Sequence, residues 1–272
     1  MIFKNNKGKK IIIGMIHLIP FPGTPQYEEG NIEKLEEKVL KDATAIKEGG
    51  AHGCLLQTED WVYDVNDDTD PIRVASMANL VSLVRHELGP DFIIGCQLLW
   101  NCMTPSLAVA KACNANFIRG TVFMGSTDTA YGHIEGNPLK VMTYRKLIDA
   151  KNIDILSEVS GYHHNLEYSK ENVQNMAFES IRMGADALEV CDRDEAKNRQ
   201  ICMDIKEKGD YPIILGGATN IENCVRRLEY ADAALVGNAF EGGNWGGNIV
   251  RDCVAQYMDK VSRAYDTDIV VK

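Results

Sequence analysis

The sequence has no Cys-x-x-Cys pair, although it contains 8 cysteines. Most of these cysteines fall in apolar stretches, where a free cysteine behaves as a small hydrophobic side chain. Their even number therefore does not indicate a disulfide framework, and we expect a reduced, cytoplasmic protein. The HxH and HExxH motifs, which set metal ligands at fixed spacings, are also absent. We therefore expect no cofactor, with a divalent metal held by a Glu/His/Asp group as the alternative.

Clusters of lysine and arginine and long uninterrupted hydrophobic runs are missing as well. The 39 acidic residues outnumber the 29 basic ones and give a net charge of -10, which argues against a nucleic-acid partner. The N-terminal segment 1–10 is basic, but the apolar stretch after it is interrupted by His17 and by prolines. We therefore expect neither a signal peptide nor a membrane span.

The length of 272 residues, with 45% hydrophobic side chains, is enough for one large core but not for two generous domains. We predict a single domain, with a barrel over residues 10–264 and a loosely held tail over residues 265–272. A homo-oligomer is expected only because soluble barrel proteins often form homo-oligomers.

Eight apolar segments of strand length alternate with eight segments of helical periodicity. The predicted strands are 10–17, 52–58, 92–98, 116–120, 153–159, 186–191, 212–215 and 231–236. Strict alternation indicates parallel strands of the α/β class, and eight units close into a (β/α)8 or TIM barrel. An open doubly wound sheet is the alternative, and it is less favoured because no GxGxxG motif follows the first strand. Residues 121–138 are predicted to form a long polar loop.

Two glycine turns follow the last two predicted strands. The first is Gly216-Gly217, followed by Ala218 and by Thr219 or Asn220 as the N-cap of a helix, and the second is Gly237-Asn238. Glycine lets backbone N–H groups approach a ligand closely, and consecutive late turns often bind phosphate in TIM barrels. The turns are therefore either tight connections alone or, taken together, an anion site.

Polar residues occupy the predicted carboxyl ends of the strands, where TIM barrels place their active sites. They are His17, Gln57, Glu59, Asp60, Gln97, Asn101, Arg119, Glu158, His163, Glu189, Asp192 and Asn238. Arg119 lies within a buried strand, where an unpaired guanidinium would be costly. It is expected either to pair internally with Glu158 or to clamp a phosphate or carboxylate of a ligand.

Three acidic residues are candidates for general acid or base. Glu158 would serve if a partly dry pocket raised its pKa toward neutrality. Glu59 and Asp60 lie in an acidic loop that is either solvated or directed at the substrate. In the second case the pair would bind sugar hydroxyls or cleave a glycosidic bond.

Tryptophans and glycines in the loops leave further alternatives open. Trp61 and Trp100 flank the acidic loop, and packing is favoured over stacking on a base or sugar. The glycine-rich segment 241–247 is typical either of a lid that closes on a ligand or of a mobile loop.

Three motifs resemble the BtpA family. They are residues 13–25 (IGMIHLIPFPGTP), Phe117-Ile118-Arg119 with residues 131–136 after it, and residues 231–237 (ADAALVG). The resemblance covers about residues 11–264. It implies a TIM barrel of the ribulose-phosphate-binding kind, and it implies a function as a nucleosidase or sugar-operon enzyme or as a photosystem I assembly factor.

Three segments depart from the family pattern. Trp100-Asn101-Cys102 keeps only the asparagine of the family's Arg-Asn-Asp, and residues 191–194 replace its Thr-Gly pair. Residues 238–241 lack the lysine that the family typically has in this segment. The loss of glycine and positive charge moves phosphate binding to Gly216-Gly217 and Gly237, or implies a different substrate.

The favoured function is an enzyme that acts on a small, phosphorylated sugar or nucleoside by glycosidic cleavage or by a lyase or isomerase step. Its catalytic residues would be Glu158, Glu59, Asp60, Arg119 and Asn101. Its ligand contacts would be His17, Gly216, Gly217, Ala218, Gly237, Asn238, His163 and Asp192. A non-enzymatic assembly factor and a small-ligand sensor are the alternatives, because one fold hosts many functions.

Overall fold

The computed structural model describes residues 1–59, 63, 65, 69–164 and 167–271. The predictions made for Asp60 and Trp61 lie outside these residues. Among the described helices, none is long and apolar enough to cross a membrane.

Eight parallel strands close into a barrel, which confirms the predicted TIM fold. They are β1 (Ile11–Leu18), β2 (Gly53–Thr58), β3 (Ile93–Gln97), β4 (Phe117–Gly120), β7 (Asp154–Ser160), β8 (Ala187–Val190), β9 (Ile213–Leu215) and β10 (Ala233–Val236). β4 pairs directly with β7, and β10 pairs with β1 to complete the ring.

Helices surround the barrel. They are α2 (Asn31–Glu48), α3 (Pro71–Leu88), α4 (Met103–Ala112), α5 (Pro138–Leu147), α6 (Lys170–Met183), α7 (Glu195–Lys208), α8 (Cys224–Leu228) and α9 (Arg251–Ala264). In α2, Leu35, Val39, Ala43 and Ile46 form one buried stripe, as their spacing predicts. Such stripes pack on the outward apolar residues of the strands and form the larger core.

The predicted loop 121–138 contains a hairpin instead, made of β5 (Ser126–Thr129) and β6 (Gly132–Glu135). The prediction of an irregular loop was therefore wrong. Ile134 of β6 is buried in a small cluster with Leu99, Trp100 and Val122, and this contact holds the hairpin against the barrel. Trp100 is 3% exposed and packs in the protein, as favoured from the sequence.

A second core fills the barrel interior and its N-terminal end. A short helix that the sequence did not predict, α1 (Ile2–Asn5), inserts Ile2 and Phe3 beneath the strands. The rings of Phe3 and Phe117 meet edge to face, with centroids 5.6 Å apart. These residues close the end of the barrel that lies opposite the predicted site.

The C-terminal tail is held more firmly than expected. Asn6 donates from Nδ2 to the carbonyl of Val270 at 3.0 Å and accepts from the Val270 amide at 2.8 Å. The amide of Lys10 donates to the carbonyl of Asp266 at 2.9 Å. The tail is therefore bonded to the segment between α1 and β1 and packs Ile269 and Val271 on the second core, and the expectation of loose attachment was wrong.

Candidate functional site

A cavity of about 860 Å³ opens at the carboxyl ends of the strands. Its wall comes from β1, β2, β4 and the loops after β7, β8, β9 and β10. The polar and aromatic side chains in the wall are His17, Gln57, Glu59, Arg119, Tyr162, His163, Arg193, Thr219, Asn220, Asn238 and Trp245.

Strand alternation explains why so many polar groups converge here. On β4, Phe117 points into the barrel core, and Arg119 is the next residue on the same face. The same step of two leads from Leu55 to Gln57 and from Met15 to His17. Apolar residues thus fill the barrel below, and polar residues form the floor of the cavity above.

Arg119 is the centre of a buried ion cluster. Its Nε and Nη2 donate to the two carboxylate oxygens of Glu189 at 2.7 and 2.5 Å. Nη2 also reaches Glu158 Oε2 at 3.4 Å, and Nη1 donates to Gln57 Oε1 at 2.8 Å. Of the two sequence alternatives, the structure shows the internal pair, but with Glu189 as the main partner rather than Glu158.

His163 joins this cluster from the loop after β7. Its Nδ1 lies 2.7 Å from Glu158 Oε2, and its amide donates to Glu158 Oε1 at 3.2 Å. Burial opposes the charged imidazolium, but the Glu158 carboxylate outweighs it, so the pKa of His163 is raised. When His163 carries a proton, its charge and that of Arg119 balance the charges of two buried carboxylates.

Glu158 differs from its predicted electrostatics. Burial alone would raise the pKa of its carboxyl, but His163 and Arg119 outweigh burial and hold that pKa below its usual range. The rise of this pKa toward neutrality, on which the role of Glu158 as general acid or base depended, does not occur. Glu158 therefore fits the role of an orienting carboxylate for His163 better than that of a general acid.

A second histidine–glutamate pair lies on another part of the wall. His17 Nδ1 is 2.8 Å from Glu241 Oε1, and Glu241 is 2% exposed. Glu241 Oε2 accepts from the amide of Gly246 at 3.2 Å, which anchors the glycine-rich loop. The ring of Trp245, 61% exposed, lies 5.1 Å from the His17 ring. The segment expected as a lid or mobile loop thus carries a partner of His17.

The two glycine turns lie side by side at the mouth, in the wall of the cavity. Gly217 and Ala218 both have positive φ, at 115° and 56°, and the Ala218 carbonyl is held by Asn223 Nδ2 at 3.1 Å. Within the described ranges, no protein acceptor takes the backbone N–H groups of residues 217–219. We call residues 216–219 the anion cradle, because successive free N–H groups in such a turn suit an oxyanion.

Gly216 connects the cradle to the ion cluster. A Cβ atom at this position would lie 1.9 Å from Glu189 Oε1, so only glycine allows the backbone this close to the carboxylate. The second turn lies beside the His17–Glu241 pair, since a Cβ on Gly237 would lie 3.2 Å from His17 Cε1.

Two of the predicted site residues have other positions or partners, and a third lies in the cavity wall. Asn101 is 6% exposed and joins two loops, donating to the Val122 carbonyl at 2.8 Å and accepting from its amide at 3.1 Å. Asp192 is paired with Lys197 at 2.8 Å and is not part of the cavity wall. Glu59 is in the cavity wall, the position required by the alternative in which it is directed at a substrate.

Tyr162, Arg193, Glu241 and Trp245 were not among the predicted site residues, although all belong to loops that follow strands. Their loop positions were the available signal, but loop side chains are usually solvated and give no periodic pattern. Within the described ranges, no group of three or more His, Cys, Asp or Glu side chains is arranged to hold a metal ion.

Comparisons with known proteins agree with the fold. An uncharacterized protein of Archaeoglobus fulgidus is 27% identical over 242 residues, covering 86% of this chain and 93% of that protein. The photosystem I biogenesis protein BtpA of Synechocystis is 28% identical over 162 residues, covering 60% and 55%. The solved thiamine phosphate pyrophosphorylase of Pyrococcus furiosus superposes with a TM-score of 0.55 at 17% identity, covering 96% and 98%.

The family comparison covers nearly all of the barrel. The sequence profile of the BtpA family matches residues 8–263, which include every barrel strand and the cavity wall. The chain therefore belongs to the BtpA family.

Proposed function

We propose that this protein is an enzyme that applies general acid–base chemistry to a small phosphorylated sugar or nucleoside. The observation that carries the proposal is the pair of histidines in one cavity wall. In both, a buried glutamate lies on Nδ1, and within the described part of the chain Nε2 forms no hydrogen bond and is left for a ligand. A carboxylate on Nδ1 fixes the tautomer and the ring orientation, which is how catalytic histidines are commonly prepared.

The two imidazoles suit complementary proton transfers. With its raised pKa, His163 is the acid that would protonate a leaving group. His17, with Nδ1–H donated to Glu241, would accept a proton from water at Nε2. In glycosidic C–N cleavage, water oxygen bonds to the sugar carbon, its proton passes to His17, and the leaving nitrogen takes the His163 proton. The same two groups would serve a lyase or isomerase step.

The anion cradle supports the ligand class. Its residues line the same cavity as both histidines, so a phosphate bound to the backbone N–H groups of the cradle would hold the rest of a small ligand near them. Glu59 would contact sugar hydroxyls from β2. Cytoplasmic location, homo-oligomerisation and independence from a metal stay predictions.

The test begins with a thermal-shift screen against phosphate, ribose, ribose 5-phosphate, nucleosides and nucleoside 5′-monophosphates, followed by product analysis for each hit. A ligand at 100 times its Kd stabilises by about 2.7 kcal/mol, which raises Tm by roughly 5 °C in a chain of this size. His163→Asn should lower turnover about 10²–10⁴-fold.

The matched control is His133→Asn. His133 also has Nδ1 on a carboxylate, Asp128 Oδ1 at 2.7 Å, but the pair is exposed on the hairpin outside the cavity wall. Turnover should therefore be unchanged in this variant. Equal turnover by both histidine variants, or a screen in which no ligand shifts the melt, would overturn the proposal.

The name of the Synechocystis relative supports a second candidate, a non-enzymatic role in assembling or stabilising another protein. It requires that variants of His17 and His163 keep the cellular function, whereas variants of an exposed surface lose it. Complementation by the His163→Asn variant would therefore favour this candidate over catalysis.

A further inference from the structure

The backbone of the loop after β8 is held by hydrogen bonds from two buried side chains. The guanidinium of Arg227, itself 4% exposed, donates to the carbonyls of Asp192 and Arg193 at 2.9 and 2.8 Å. The Asp192 amide donates to Asn198 Oδ1 at 3.0 Å. These bonds set the direction in which the Arg193 side chain leaves the loop.

The acidic neighbours of Arg193 are engaged elsewhere. Asp192 pairs with Lys197 at 2.8 Å, and Asp194 Oδ1 caps the start of α7 by accepting from Ala196 and Lys197 amides at 2.9 and 3.0 Å. Within the part of the chain that the structure describes, no carboxylate forms an ion pair with Arg193. Among the described residues, its guanidinium is therefore left without an ion-pair partner.

Arg193 belongs to the cavity wall beside the cradle. Its guanidinium carbon lies 5.3 Å from the centre of the Tyr162 ring, and both side chains line the cavity. A Cβ on Gly217 would lie 3.9 Å from Tyr162 Cε2, so the ring that supports Arg193 also borders the cradle. Arg119, in contrast, is saturated by Glu189 and is the weaker candidate for a ligand anion.

We propose that Arg193 and the backbone N–H groups of residues 217–219 form a subsite for a phosphate monoester. This deepens the proposed function, on which it rests, by naming the group that distinguishes a phosphorylated ligand from its unphosphorylated analogue. The planar guanidinium can donate two parallel hydrogen bonds to phosphate oxygens, while the cradle binds the remaining oxygens. Tyr162 holds the guanidinium near the mouth before the ligand arrives.

The experiment measures binding of inorganic phosphate and of ribose 5-phosphate by titration calorimetry to wild type, Arg193→Gln and Arg193→Lys. We expect affinity for both probes to fall about 10-fold or more in Arg193→Gln, because a hydrogen-bonded charge pair is lost. Arg193→Lys should retain part of the affinity, since it keeps the charge but not the planar fork. Raised salt should weaken wild type more than Arg193→Gln.

Arg199→Gln is the matched control. Arg199 is also exposed and lies over a tyrosine, with its guanidinium carbon 4.6 Å from the Tyr230 ring centre, but it is outside the cavity wall. The substitution makes the same change in net charge. Phosphate affinity should therefore be unchanged in Arg199→Gln.

Equal phosphate affinities for Arg193→Gln and Arg199→Gln would overturn the subsite, while the proposed enzyme would stand if His163→Asn still abolished turnover. If wild type bound neither inorganic phosphate nor ribose 5-phosphate, the subsite would also be overturned. If His163→Asn and His133→Asn had equal turnover while phosphate binding still depended on Arg193, the catalytic proposal would be overturned and the subsite would stand.

Discussion

The two ends of the barrel use buried charge in different ways. At the N-terminal end, Asp186 accepts from Arg145 Nη2 at 2.8 Å, from Lys4 Nζ at 2.9 Å and from the Ile155 amide at 3.0 Å, and these bonds join α1, α5 and the strands. At the carboxyl end, Arg119 and Glu189 form the floor of an open cavity. At the N-terminal end the charged groups join neighbouring elements, whereas at the carboxyl end they line a cavity that can hold a ligand.

The difference follows from what covers each end. Residues of α1 and the C-terminal tail fill the lower end with apolar side chains, and Asp186 there is bonded to Arg145 and Lys4. The upper end is bordered by glycine turns that leave room above the polar floor. Substitutions at the two ends should therefore separate stability from ligand binding.

The largest expected effect is that of Arg119→Met. It leaves Glu158 and Glu189 buried without their guanidinium, which should lower the free energy of unfolding by about 3–5 kcal/mol. Urea unfolding followed by circular dichroism measures this loss. The ligand-induced thermal shift should also disappear, because the cavity floor changes.

Arg145→Met is the corresponding variant at the other end. Arg145 is 7% exposed and donates to the Ile153 carbonyl at 2.6 Å and to Asp186 at 2.8 Å, so its loss should also destabilise the protein. Ligand binding by the folded fraction should be unchanged. Loss of binding in both variants would break the comparison between the ends.

A smaller effect is expected for Phe3→Ala. Phe3 is 2% exposed and packs on Phe117, so truncation should lower the free energy of unfolding by about 3 kcal/mol. The Kd of any ligand should stay within about twofold, since the change lies at the closed end. Calorimetry of the folded variant measures that Kd, and a large change would show that the two ends are coupled.

The smallest effect concerns pH and Asp154. Burial, together with the Asp186 charge, raises the pKa of this carboxyl from 3.8 to about 6. Because the folded-state pKa is the higher one, the protonated form stabilises the fold at low pH. That stability is lost as pH rises from about 4 through 6. Asp154→Asn should therefore be more stable than wild type at pH 8 by about 1–3 kcal/mol.

The measurement is urea unfolding of both proteins at pH 4, 6 and 8. The stability difference between Asp154→Asn and wild type should grow with pH, and Asn can still accept the Phe3 amide that Asp154 Oδ2 accepts at 3.2 Å. A difference that is constant with pH, or that shrinks as pH rises, would contradict the raised pKa.

The sequence by itself determined the barrel and the position of its open end. Helical stripes such as Leu35, Val39 and Ala43, and strand runs between them, are local patterns whose periods depend only on backbone geometry. Alternation along β1 likewise placed His17 at the cavity. Glycine turns after β9 and β10 indicated the cradle, and the positive φ of Gly217 is a backbone conformation that favours glycine.

Only the tertiary structure decided which polar groups are partners. Arg119 bonds chiefly to Glu189, 70 residues away, rather than to Glu158, and His17 bonds to Glu241, 224 residues away. The placement of Arg193 over Tyr162 also depends on where two loops meet. Such contacts arise when the barrel closes and brings strand ends together, and no local period in the chain records them.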